Sequence, residues 1–103
     1  MRILAVAVER ENGEVVEKMP DERSLLCKLL PVGMEQPNGL LGFIDPYGDT
    51  VFNRLQIDQF LAEWATVAER ASNDEERAIV IGVGALAERC RAGAHLYLTF
   101  IGN

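Results

Sequence analysis

The chain opens on Ile3-Leu4-Ala5-Val6-Ala7-Val8, a short apolar run with Val and Ile prominent, and this pattern predicts a mostly buried strand. Glu11-Asn12-Gly13-Glu14 follows it. Asn-Gly accepts the positive φ angles of a type I′ turn, so a hairpin returning through Val15 and Val16 is expected. Glu14, Glu17 and Lys18 leave that arm little to bury, which assigns it to a sheet edge or an irregular excursion. Pro20 and Asp21 then open a short helix over Glu22 to Leu30, with Leu25, Leu26, Leu29 and Leu30 as its apolar face. Pro31 ends it, because a residue before proline avoids the helical region. Two Pro and two Gly between Pro31 and Gly39 mark a loop.

Leu40-Leu41-Gly42-Phe43-Ile44 predicts a second strand, Asp45-Pro46-Tyr47-Gly48-Asp49 a compact turn, and Thr50-Val51-Phe52 the strand returning from it. The helix that follows has the clearest pattern. Asn53 with Gln56 three residues on forms a capping-box start, and Ile57, Phe60, Leu61, Trp64, Val67, Ala68 and Ala71 fall on one helical face. Ser72 and Glu75 repeat the cap signature for a second helix. Its stripe runs Ile79, Val83, Leu86 and Cys90, and Gly93 stands at its C-terminal end. His95 to Ile101 closes the chain as a strand with Leu96, Leu98 and Phe100 on one face. The element order points to an α+β fold over residues 1–103 as a single domain. We expect a four- or five-stranded, largely antiparallel sheet with two main helices packed on one face.

Composition supports one core. The chain has 103 residues, 49% of them hydrophobic, enough apolar material to offset chain entropy and to exclude disorder. The net charge is −6, and it is spread evenly: residues 1–24 hold four basic and six acidic groups, 25–53 one and three, and 54–103 five and seven. Phosphate binding needs clustered Lys and Arg, so nucleic acid and anionic membrane surfaces are disfavoured as partners. A basic protein partner is compatible with this charge. The first apolar run is too short to span a membrane and lacks a small-residue cleavage site, which makes a cytoplasmic location the default expectation.

Candidate chemistry is sparse. Cys27 and Cys90 sit in apolar surroundings and read as small hydrophobes, and His95 is the only histidine, too few ligands for a zinc site. Gly82-Val83-Gly84-Ala85-Leu86-Ala87 matches a dinucleotide fingerprint, but the chain ends before the second strand and acidic residue that motif requires. Packed glycines in a helix explain it better. Asp45 and Asp49 flank a tight turn and could hold a hard cation, though turn capping is the simpler role for both. No catalytic constellation, metal site or cofactor motif emerges. Tyr47 and Arg54 belong to the residue types most enriched at binding hot spots, so Tyr47, Asp45, Asp49 and Arg54, grouped at one hairpin corner, are the candidate binding residues.

The blocks Gly42 to Gln56 and His95 to Asn103 resemble small bacterial proteins, and the size, acidity and layout are similar to the immunity proteins that neutralise secreted or contact-delivered toxins. That resemblance implies a cytosolic, non-enzymatic binder that blocks a partner's surface, and it assigns no individual residue a role. The expected function is therefore a protein-binding module of immunity type. The alternative is a small-molecule-binding or catalytic domain whose pocket lies between sheet and helices, lined by Asp45, Asp49 or His95. A third reading is self-association through an exposed strand edge, either residues 14–19 or the terminal strand.

Overall fold

The computed structural model describes residues 2–30 and 39–103, so the loop expected from Pro31 lies, apart from Gly39, outside the described residues. Strands β1 (Ile3–Arg10), β2 (Val15–Pro20), β3 (Thr50–Phe52) and β4 (Leu96–Gly102) form one antiparallel sheet in the order β2-β1-β4-β3. Helices α1 (Leu25–Leu29), α2 (Arg54–Ala68) and α3 (Asp74–Ala92) complete the fold. The α+β architecture, with four antiparallel strands and two main helices, is the expected one.

Register shows which face the helices cover. Val6 lies opposite Met19 and Phe100, Val8 opposite Glu17 and Leu98, and Phe52 opposite Leu98. Paired residues share a face, so Val6, Val8, Leu98, Phe100 and Phe52 present one apolar surface. Ile57, Phe60, Trp64 and Val67 of α2 and Ile79, Val83, Leu86 and Cys90 of α3 are buried with them in one cluster. Its centre is aromatic. The Phe60 ring stacks on Trp64 with centroids 5.4 Å apart, and Phe100 meets Phe52 edge-on at 6.0 Å. The Trp64 indole N–H donates to the Val80 carbonyl at 2.9 Å, so the one polar atom of that side chain is satisfied.

Local chemistry sets the ends of the elements. In the β1–β2 turn only Gly13 has positive φ, at 88°, and Arg10 N–H bonds the Glu14 carbonyl at 2.9 Å. That is a three-residue loop with a left-handed glycine, not the type I′ turn expected from Asn-Gly. Asn53 and Gln56 form the expected capping box of α2, with bonds of 3.2 and 2.9 Å. The α3 cap is shifted one residue from its expected place. Asn73 accepts the Glu76 N–H at 2.9 Å, while the Glu76 carboxylate accepts from the Ser72 N–H and hydroxyl. Those Ser72 bonds hold the Glu76 carboxyl below its ordinary value, against burial and with further help from Lys28 at 3.6 Å. The helix expected from Glu22 begins only at Leu25, because Pro20 still belongs to β2.

Two expectations are corrected. Leu40–Phe43 is a 3-10 turn and not a strand, so the hairpin with Thr50–Phe52 does not form, and β3 pairs with β4 instead. The cause is Glu63 of α2, whose carboxylate accepts the Leu40 N–H at 3.1 Å and the Leu41 N–H at 3.0 Å and so caps that turn from a distance. The terminal strand is not an edge either, since β4 lies between β1 and β3.

The glycine pair of α3 is accounted for by packing. Residues 78–81 are helical and not a strand; Gly82 leaves room for the Met19 sulfur, and Gly84 faces the Trp64 ring. Cys27 is half-buried and Cys90 buried, neither in a disulfide. Burial pushes the Cys90 thiol up to about 11, against a small opposing pull from Arg89. Alkylation of the folded chain at mildly alkaline pH should therefore label Cys27 and spare Cys90, with both labelled in denaturant; mass spectrometry of the peptides would show it. Rapid native labelling of Cys90 would contradict its burial.

Candidate binding surface

The turn before β3 is built from its own side chains. The Asp45 carboxylate accepts the Tyr47 N–H at 2.9 Å, and the Asp45 carbonyl accepts the Gly48 N–H at 3.3 Å. Thr50 ties the turn to β3, its hydroxyl oxygen accepting the Asp45 N–H at 2.9 Å and its hydroxyl proton going to the Phe43 carbonyl at 3.4 Å. On the far side the turn presses on the end of β4. Asn103 N–H bonds the Pro46 carbonyl at 2.9 Å, and a side chain at Gly102 would collide with the Gly48 and Asp45 carbonyl oxygens. With its backbone held this way, the turn projects Tyr47 into solvent at 68% exposure.

Asp45, Asp49 and Tyr47 thus share the end of β3 nearest Gly102. Arg54 does not join them. It is the first residue of α2, and with Asn53, Leu55, His95 and Tyr97 it lines a shallow groove of ≈ 350 Å³ at the opposite end of β3. Five steps of extended chain lead from Asp49 to Arg54, roughly 16 Å at about 3.3 Å each. The single corner expected from the sequence is two stations along one strand edge. Asp45 spends one carboxylate oxygen on its own turn, as the capping role requires, and Asp49 is exposed.

The surface contains residues that the sequence did not single out. Phe43 is 71% exposed, Val51 53% and Leu55 92%, and with Tyr47 they make four of the large exposed apolar side chains lie on or beside β3. Leu55 was detectable, because it falls two residues before Ile57, off the buried stripe of α2. Phe43 and Val51 were not, since their exposure follows from the 3-10 turn and from β3 lying at the edge. Glu63 is half-buried: burial works to raise its carboxyl, but the bonds from Leu41, Leu40 and Gln59 outweigh it and hold it below its ordinary value of 4.5.

A depressed carboxyl stabilises the fold fully above its unfolded value, and that contribution is lost as pH falls through the folded one. Glu63→Ala should destabilise the chain by about 1 kcal/mol near neutrality, after discounting for solvent around a half-buried group. The deficit should shrink below pH 4.5, where the wild-type carboxylate itself takes up a proton. Denaturant titrations across that window would check it; a pH-independent deficit would mean the capping bonds contribute nothing as an anion.

Among the described residues, core side chains occupy the layer between sheet and helices where a pocket was expected. That layer is filled by Phe52, Phe60, Trp64 and Phe100, while Asp45 and Asp49 lie at one end of β3 and His95 at the other. His95 is exposed and pairs with Glu11 at 3.1 Å. A groove of ≈ 420 Å³ lies between the β2–α1 connection and α3, bridged by the Arg23–Glu75 ion pair. Among the described residues no cluster of three metal-ligating side chains occurs, and no helix is long and apolar enough to cross a membrane. Comparison with protein-family models, with curated proteins and with solved structures found no match to this chain.

Proposed function

We propose that the chain is a non-enzymatic protein-binding module, and concretely an immunity-type protein that masks a basic bacterial toxin in the cytoplasm. The observation that carries this reading is that Phe43, Tyr47, Val51 and Leu55 are exposed on or beside β3, spaced along its edge with the exposed carboxylates of Asp45 and Asp49 at one end. Single exposed apolar residues are ordinary on a protein surface, whereas a group of them rimmed by charge is how recognition surfaces are built. Tyr47 suits the part of anchor, because an aromatic ring offers large contact area for little lost rotamer freedom. The net charge of −6 would speed encounter with a basic partner, an effect that salt suppresses.

The alternative, a small-molecule or catalytic pocket between sheet and helices, has less support, since core side chains occupy that layer and its three candidate residues stand apart.

Immobilised chain exposed to extract of the source cells should retain a protein at low salt, and a Tyr47→Ala chain should retain at least about tenfold less. Co-expression with the retained protein should relieve its toxicity. Retention of nothing at either low or high ionic strength would remove the proposal.

A further inference from the structure

The two sheet edges are not alike. The β2 edge carries Glu17, Lys18 and Pro20, the charges and proline that discourage another strand from adding. The β3 edge is Thr50-Val51-Phe52, with no charge and no proline. Among the described residues no backbone group outside the sheet bonds to it. Its two ends are oppositely charged: Asp45 and Asp49 at one, Arg54 at the other, on the first turn of α2, which holds no acidic residue. Neither Asp49 nor Arg54 has an ion-pair partner among the described residues.

An edge that is apolar in the middle, negative at one end and positive at the other is complementary to itself under a two-fold rotation. We propose that a second copy of this chain docks antiparallel along β3. The pairing is centred on Val51, which sets Asp49 of each copy opposite Asn53 of the other and next to Arg54. Val51 then lies beside Val51 of the second copy, at the roughly 5 Å Cβ separation of directly opposed residues. Tyr47 approaches Leu55 of the second copy at both ends. The positive N-terminus of α2 adds to the attraction at each end. Two sheets merge into one of eight strands, an isologous and closed assembly. A strand of three residues makes a small interface, so the dimer is reversible and concentration-dependent.

This inference rests on the reading of the β3 edge as the recognition surface and adds its regulation. A foreign partner must displace the second copy, so recognition is masked when the chain is concentrated.

Sedimentation and light scattering on the full chain, from micromolar to millimolar, test it. The expected result is a monomer–dimer equilibrium that Val51→Lys weakens by at least about tenfold. Asp49→Arg and Arg54→Asp should each weaken it, and the two together should restore it, because the charges have only exchanged places. Circular dichroism of each variant should match the wild type, since all three side chains are exposed. A monomer at every concentration would overturn the inference, as would a dimer indifferent to Val51→Lys or a charge exchange that restores nothing. A monomer that still retains a foreign protein through Tyr47 would remove only the dimer. A dimer that retains none would remove only the proposed function.

Discussion

Trp64→Ala should cost the fold about 3–5 kcal/mol, the range for deleting a large buried aromatic side chain. The indole is 4% exposed, stacks on Phe60, and lies 6.3 Å from the Phe100 ring. Its removal empties the junction where α2, α3 and β4 meet. It also deletes the bond from the indole N–H to Val80, which ties α2 to α3. Against a typical total of about 5–15 kcal/mol, such a loss can leave the chain largely unfolded at body temperature. Urea denaturation followed by circular dichroism would measure it. Trp64→Phe, which keeps an aromatic ring on Phe60 but gives up the N–H donor, should lie well between the two. A near-neutral Trp64→Ala would mean that the aromatic cluster is not the centre of the core.

Asp21→Ala should be the next largest, at about 2–3 kcal/mol. This carboxylate is 1% exposed and accepts the N–H groups of Leu25 and Leu26, each at 2.9 Å. Those are orphan donors of α1, whose own N-cap, Ser24, sits at φ 55° and makes no capping bond. Alanine would leave both donors unsatisfied, that of Leu26 buried and that of Leu25 part-buried. Asp21→Asn retains one acceptor oxygen and should recover part of the loss. Hydrogen exchange should show faster opening of α1, with β1 and β4 affected only as far as global stability falls. Unchanged exchange in α1 would show that the carboxylate is not its cap.

The contrast between these two residues shows what was legible in the sequence. Trp64 was read as core because its neighbours Ile57, Phe60 and Val67 repeat at helical spacing, a pattern that depends on the chain alone. The same logic located β1, β4, α2 and α3. Leu40–Ile44 failed because its conformation is imposed from α2, by a Glu63 carboxylate more than twenty positions away that binds its N–H groups. Apolar runs of that length suit a strand or a buried turn equally well, and only a tertiary contact decides. Asp21 was placed near a helix start, but as its opener; in the structure it caps from outside the helix.

The candidate surface was half legible for a related reason. Tyr47, Asp45 and Asp49 come together because a turn keeps neighbours in sequence close in space. Arg54 was separated from them once β3 ran straight between the two groups and paired with β4, so a presumed corner became an edge with two differently charged ends. Phe43 and Val51 joined that edge only through strand order. Order in a sheet of four short strands is a matter of long-range pairing, which local pattern does not encode.

The central claim is that the β3 edge, and not another face of the molecule, carries recognition. Immobilised wild-type chain, a Tyr47→Ala Val51→Lys chain and an Ile81→Lys chain, exposed in parallel to extract of the source cells, test it directly. Ile81 is 70% exposed on α3, far along the chain from β3, and serves as the control. The account predicts that wild type and Ile81→Lys retain the same protein while the β3 variant retains none. Equal retention by the β3 variant, or its loss with Ile81→Lys alone, would contradict it.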